Sequence, residues 1–123
     1  MTEEDVRAWV ERYVSAWTTN DPSDIEALFT EDARYFSEPH AEPWTGREQI
    51  VERWLAAKDE PGTWTYRPGR VTVAGDAAFA EGETGYADPA RTYSNLWVIR
   101  LGDGGRAREF VEWWMKHRAP STG

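Results

Sequence analysis

Two alternating runs on either side of a glycine-rich break constrain this chain more than any other feature. Tyr93-Ser94-Asn95-Leu96-Trp97-Val98-Ile99-Arg100-Leu101 and the stretch from Arg106 to His117 flank Gly102-Asp103-Gly104-Gly105, and together they read as one long hairpin. Alternation puts Tyr93, Asn95, Trp97 and Ile99 on one face and Ser94, Leu96, Val98 and Arg100 on the other, so both faces carry apolar side chains. A sheet with one wet face would show a polar residue at every second position. Helices are therefore expected over one side, with a partner subunit or a further layer over the other.

The N-terminal half supplies those helices. Thr2 and Asp5 have the spacing of a capping box, and Val6, Trp9, Val10, Tyr13, Val14 and Trp17 follow at three- and four-residue intervals, which predicts a helix over residues 3 to 18. Asp21-Pro22 offers an N-cap and a first-turn proline for a short second helix carrying Ile25, Leu28 and Phe29 and ending near Thr30. Ala33 to Ser37 fits a short strand, and Pro39 and Pro43 make the next segment a loop. Thr45-Gly46-Arg47-Glu48 reads as a second capping box, before a third helix with Ile50, Val51, Trp54 and Leu55 inward and a stop at Pro61-Gly62.

From Thr63 the period becomes two. Trp64 and Tyr66, a bulge at Pro68-Gly69, then Val71 and Val73 lead to a Gly75-Asp76 turn, and a strand over 77 to 86 runs to a turn at Asp88-Pro89. Residues 1 to 118 thus form one domain and 119 to 123 a flexible tail. Consecutive strands on short turns are antiparallel neighbours, and a strongly twisted antiparallel sheet can curl around three N-terminal helices. The expected fold is an α+β cone-shaped barrel enclosing a cavity.

Composition narrows the function. The chain has no cysteine, and its two histidines, His40 and His117, are far apart, so neither thiol chemistry nor a metal site is expected. Fourteen basic against 22 acidic residues give a net charge of −8, which argues against nucleic acid and anionic lipid as partners. No signal-like or membrane-spanning apolar run is present, and a cytoplasmic location is the expectation. Nucleotide-binding and hydrolase motifs are also missing, so no cofactor is expected. Eight tryptophans favour a wide aromatic cavity or a large interface.

Four stretches carry a resemblance: Arg12-Tyr13-Val14-Ser15-Ala16; Ala27-Leu28-Phe29 with Asp32-Ala33; Glu42-Pro43 with Gly46; and Asn95-Leu96-Trp97 leading to Phe110-Val111-Glu112-Trp113-Trp114. Over nearly its whole length the chain resembles the nuclear transport factor 2-like superfamily, and within it SnoaL-like and ketosteroid isomerase-like proteins. Ketosteroid isomerase holds a developing oxyanion with a tyrosine and a protonated aspartic acid and moves the proton with a second aspartate. The resemblance puts Tyr13 on the tyrosine, Ser37 on the base and Trp97 on the protonated acid. Glu38 is one residue from the base position. With two of three roles missing, steroid isomerisation is disfavoured.

The resemblance makes Trp97 inward-facing, and alternation then turns Tyr93, Asn95, Phe110, Glu112 and Trp114 to the cavity, with Phe79, Glu81 and Glu83 on the preceding strand. A one-residue bulge would reverse these assignments. A carboxyl among rings has a raised pKa and can serve as acid or base near neutrality. The expected catalytic set is Tyr13 and Asn95 as donors to an oxyanion, Glu112 or Glu83 as the base, and His40 as a relay. Trp17, Ser37, Glu38, Tyr93, Trp97, Phe110 and Trp114 would contact the ligand. Plainer alternatives stand beside these: Glu112 paired with Arg100 or Arg108, Asn95 bridging backbone groups, Tyr13 as a core residue, and His40 as a surface loop residue. The functional expectation is a SnoaL-like homodimer that binds a small apolar molecule, as a cofactor-free isomerase, cyclase, dehydratase or epoxide hydrolase. The alternatives are a non-catalytic ligand-binding protein and a dimeric interaction module.

Overall fold

In the computed structural model, which describes residues 1–87 and 90–118, three helices precede or interrupt the first strands of a six-stranded sheet. The expected turn at Asp88-Pro89 and the tail over 119–123 lie outside the described residues. Helix α1 (Glu3–Thr19) begins as the sequence suggests. The Asp5 amide donates to Thr2 Oγ1 at 3.1 Å and the Thr2 amide donates to Asp5 Oδ2 at 2.9 Å, which holds the Asp5 carboxyl below its ordinary pKa. The helix ends at Asn20, whose left-handed backbone (φ 52) lets its amide close on the Ala16 carbonyl. Its buried stripe is Val6, Trp9, Val10, Tyr13 and Ala16.

Helix α2 (Pro22–Glu26) is shorter than expected, because the chain turns extended at Phe29 and not after Thr30. Strand β1 (Phe29–Phe36) therefore has eight residues. The second expected capping box is also absent. Thr45 belongs to a two-residue strand, β2 (Trp44–Thr45), paired with β1, and Gly46 caps α3 (Arg47–Ala56) with no side-chain bond. Gly46 has φ 86, which a residue with a Cβ resists, and the side chain reaching back to the Thr45 amide is that of Gln49, at 2.7 Å.

The remaining chain is a meander: β3 (Trp64–Ala74), β4 (Ala77–Ala87), β5 (Ala90–Leu101), a one-turn helix at Asp103–Gly105, and β6 (Ala107–Lys116). The β3–β4 register shifts between Pro68 and Val71, as a bulge there requires. Across the sheet the order is β2-β1-β6-β5-β4-β3, so the hairpin of β5 and β6 lies at its centre. One pairing departs from the antiparallel expectation. Strands β1 and β6 run parallel, since the first strand enters the sheet beside the last and not beside its sequence neighbour. The result is an α+β cone with an open, curved, mixed sheet.

Rings fill the inner face. Trp9 is fully buried, and its indole Nε1 donates to the Leu28 carbonyl at 2.9 Å. Tyr35 stacks between Trp44 and Phe110, at 4.4 Å and 4.7 Å between centroids. Small residues on β4 make room for this: Ala80 is opposite Trp97, and the Tyr66 hydroxyl sits over Gly82 where any Cβ would collide with it. Among the described residues no helix covers the other face of the sheet. Trp113 is 49% and Met115 72% exposed there.

Candidate functional site

The cone opens at one end into a cavity of about 340 Å³. Strand β6 brings Glu112 and Trp114 to it, β5 brings Tyr93, Asn95 and Trp97, α1 brings Tyr13 and Trp17, and the end of β1 brings Tyr35 and Ser37. Eight residues expected at the site from the sequence thus line one cavity: Tyr13, Trp17, Ser37, Tyr93, Asn95, Trp97, Glu112 and Trp114.

Four others do not. Phe110 is fully buried behind the Tyr13 and Tyr35 rings, stacked on each, so a ligand cannot reach it. Glu38 and His40 are exposed in the loop before β2, where a Glu38–Ala41 turn and the positive φ of His40 (73) hold the chain clear of the cavity. Glu83 faces the other side of the sheet. Its neighbours Gly82 and Thr84 pair with the inward residues Asn95 and Tyr93, and Glu83 itself is in an ion pair with Arg67 at 2.8 Å. The inward residues of β4 are therefore Ala78, Ala80, Gly82, Thr84 and Tyr86, one step out of phase with Phe79, Glu81 and Glu83.

Glu112 is held by neutral donors. Asn95 Nδ2 donates to its Oε2 at 2.7 Å and Trp97 Nε1 to the same oxygen at 3.3 Å, while Thr84 Oγ1 donates to Asn95 Oδ1 at 2.7 Å. Thr84 and Asn95 are themselves buried. Arg100 and Arg108, the partners of the plainer reading, are engaged elsewhere: Arg100 with Glu109 and Asp76, Arg108 with Asp76. Among the described residues no ion pair includes Glu112. Burial pushes its pKa up, the Trp97 and Asn95 hydrogen bonds oppose that rise, and the charge of Asp59 adds to it. Both donors meet Oε2, and Oε1 accepts from none of the described residues. Asn95, expected as an oxyanion donor, is instead the strut between Thr84 and Glu112.

Tyr13 does gain a donor partner. Its hydroxyl lies 2.7 Å from that of Tyr35, and both side chains line the cavity. One hydroxyl hydrogen closes the pair, which leaves the other to point elsewhere. Burial pushes both hydroxyls well above the ordinary tyrosine pKa, with Tyr35 next for Tyr13 and the Glu112 charge next for Tyr35. Both are therefore protonated donors at neutral pH.

A second carboxylate at the cavity has no sequence signal. Asp59 follows α3 in a loop, and its Oδ2 accepts from Trp17 Nε1 and from Tyr86 Oη, each at 3.1 Å. Its carbonyl accepts from Asn20 Nδ2 at 3.1 Å, and Asn20 Oδ1 in turn accepts from Trp54 Nε1 at 3.0 Å. The loop is thus tied to the end of α1. Tyr35 could have been found by extending the β1 alternation from Ala33, and Thr84 and Tyr86 by a one-residue shift of the β4 register. Among the described residues no three His, Cys, Asp or Glu side chains gather as metal ligands, and no helix is long and apolar enough to cross a membrane.

The helix-filled cone is the fold of nuclear transport factor 2-like proteins. Three solved structures share the fold at TM-scores of 0.71, 0.70 and 0.71. One, from Kribbella flavida, carries the provisional name ketosteroid isomerase; it is 22% identical, over 98% of this chain and 84% of the other. The second is a protein of this fold from Mesorhizobium loti of unknown function, 21% identical over 92% and 93%. The third, from Sinorhizobium meliloti, has the provisional name polyketide cyclase and is 23% identical over 91% and 99%. The family defined by the SnoaL-like domain matches residues 10–121, and the chain belongs to it. No curated protein matches the chain in sequence.

Proposed function

We propose that this SnoaL-like protein is a cofactor-free acid–base enzyme acting on a small molecule with an apolar body. The observation that carries the reading is Glu112: a desolvated carboxyl at an open aromatic cavity, fixed by neutral donors at one oxygen and free at the other. Such a group, its pKa raised above that of an ordinary carboxyl, is better suited to take up and release a proton than an ion-paired carboxylate. The Tyr13–Tyr35 pair supplies a protonated donor to charge developing on a substrate oxygen. Isomerisation, aldol-type cyclisation, dehydration and epoxide opening all use this combination, and the names of the Kribbella and Sinorhizobium proteins lie within that range. The reading includes a cytoplasmic location and a second copy of the chain over the outer sheet face, where Trp113 and Met115 are exposed.

The test is a screen of small carbonyl and epoxide compounds with the native protein and with Glu112→Gln. Loss of a proton-transfer group costs about 10²- to 10⁴-fold in rate. A compound turned over by the native protein should lose that factor in the variant, with folding intact because the amide is isosteric. An unchanged rate removes Glu112 from the mechanism.

A further inference from the structure

The acid–base reading uses Glu112 and leaves Asp59 without a task, although Asp59 is one of the most carefully held side chains at the cavity. Four neighbours fix it directly or through its backbone: Trp17, Tyr86, Asn20 and, behind Asn20, Trp54. All its side-chain bonds fall on Oδ2, as those of Glu112 fall on Oε2, so each carboxylate keeps one oxygen that accepts nothing from the described residues. No ion pair among the described residues includes either one. Two carboxylates sharing one cavity repel each other, and the Asp59 charge does raise the pKa of Glu112.

The cavity that holds both is lined by Trp17, Trp44, Trp54, Trp97 and Trp114, and an indole face attracts organic cations. The chain's net charge of −8 draws cations toward it at long range. Two cationic side chains also line this cavity. Lys58 is exposed beside Asp59, and Arg91 is engaged with the Tyr86 ring, 4.2 Å from its centroid, and with Tyr93 Oη at 3.2 Å.

We propose that the cavity recognises a small organic cation, a protonated amine on an apolar body, with Asp59 as the residue that binds the ammonium group. The amine donates to the free Oδ1 of Asp59 while the apolar body lies among the tryptophans, within reach of Glu112. A neutral hydroxyl would satisfy the hydrogen bond but not the repulsion between the two carboxylates, and an anion would add to it. The proposal rests on the reading of this cavity as the active site and names its ligand class.

The experiment is a charge series of equal size: benzylamine, benzyl alcohol and benzoate, titrated at about pH 7 by tryptophan fluorescence and calorimetry. Benzylamine should bind at least about tenfold more tightly than benzyl alcohol, the usual gain of a charge-assisted hydrogen bond over a neutral one, and benzoate should bind most weakly. Asp59→Asn should bring benzylamine to within about twofold of benzyl alcohol, because it removes the charge and keeps the shape. A second measurement needs no variant. By linkage, benzylamine must lower the pKa of Glu112, followed by carboxyl carbon NMR, whereas benzyl alcohol must not. Equal binding or no binding across the series, a preference for benzoate through Lys58 and Arg91, or an amine preference that survives in Asp59→Asn would each overturn the proposal. These readouts are of binding and titration, so they stand or fall separately from the turnover test on Glu112→Gln.

Discussion

The two faces of the sheet treat the same side chain in opposite ways. On the outer face two carboxylates have arginine partners: Glu83 with Arg67, and Glu109 with Arg34 and Arg100. On the inner face, among the described residues, Glu112 accepts from the neutral donors Asn95 and Trp97 alone, and the side chain of Asp59, at the same cavity, from Trp17 and Tyr86 alone. Outside, each carboxylate meets a fixed cation and water that screens the pair. Inside, desolvation raises the pKa of Glu112, and its neutral donors only oppose that rise. A chemically usable carboxyl comes from the absence of a cation as much as from burial.

Packing shows the same contrast, and gives the largest effect. Phe110 and Val111 are adjacent on β6, one fully buried under the Tyr13 and Tyr35 rings and the other half-buried on the outer face. Phe110→Ala should destabilise the fold by about 3–5 kcal/mol, since the rings around it cannot collapse into the gap. Val111→Ala, partly solvated in the native state already, should cost about 1 kcal/mol or less by the area it exposes. Urea unfolding of the two variants measures both. Comparable losses would mean that the outer face is as well packed as the inner one, as it would be under a second copy of the chain.

The buried relay comes next. Thr84→Val keeps the shape but removes the donor to Asn95 Oδ1, leaving a buried acceptor unmet at a cost of about 1–3 kcal/mol. Asn95 then loses the contact that sets which way its amide points, and its bond to Glu112 weakens. The pKa of Glu112, already raised, should rise further. Valine at 84 with an unmoved Glu112 titration would show that Trp97 alone positions the carboxyl.

Glu112 also leaves a signature in stability. In the unfolded chain its pKa is near 4.5 and in the folded chain it is higher, so between the two values the folded state holds the extra proton. The stability this contributes is complete below the unfolded value and is lost as pH rises through the folded one. Native protein should therefore lose stability relative to Glu112→Gln as pH climbs above about 4.5, then level off once Glu112 is ionised in both states. Taking the difference between the two proteins removes the arginine-paired carboxylates, which they share. A difference that stays flat with pH would put Glu112 among ordinary carboxylates.

Much of this was legible from periodicity. The α1 stripe, the central hairpin and the Pro68-Gly69 bulge all follow from local pattern, whereas the cavity side of β5 and β6 came from the family resemblance at Trp97, from which alternation carried Asn95, Glu112 and Trp114 to the same side. The β4 error has a physical cause. The register carried over from the neighbouring strands was off by one residue, which turned Phe79, Glu81 and Glu83 inward, and the true inward residues, Ala78, Ala80 and Gly82, carry no bulk to betray the slip because Tyr66 and Trp97 occupy the space above them. Periodicity cannot tell a face left small for rings from a face left small by chance. Asp59 was illegible for another reason: nothing local marks a loop aspartate, and its partners Trp17, Asn20 and Tyr86 arrive from distant parts of the chain.

The smallest expected effect belongs to Glu83, which the sequence offered as an alternative base. Its ion pair with Arg67 joins a side chain 39% exposed to one 77% exposed, so water screens the attraction and two long side chains must be ordered to make it. Glu83→Gln should change stability by about 0.5 kcal/mol or less and should leave turnover of any substrate found in the screen unaltered. Salt sharpens the distinction. An exposed pair fades as ionic strength rises, whereas the Glu112 bonds lie within the cone and respond little, so the small Glu83→Gln effect should vanish in high salt while that of Glu112→Gln persists. Loss of turnover in Glu83→Gln would instead show that the outer face takes part in function, and that the separation of structural from chemical carboxylates across this sheet is not complete.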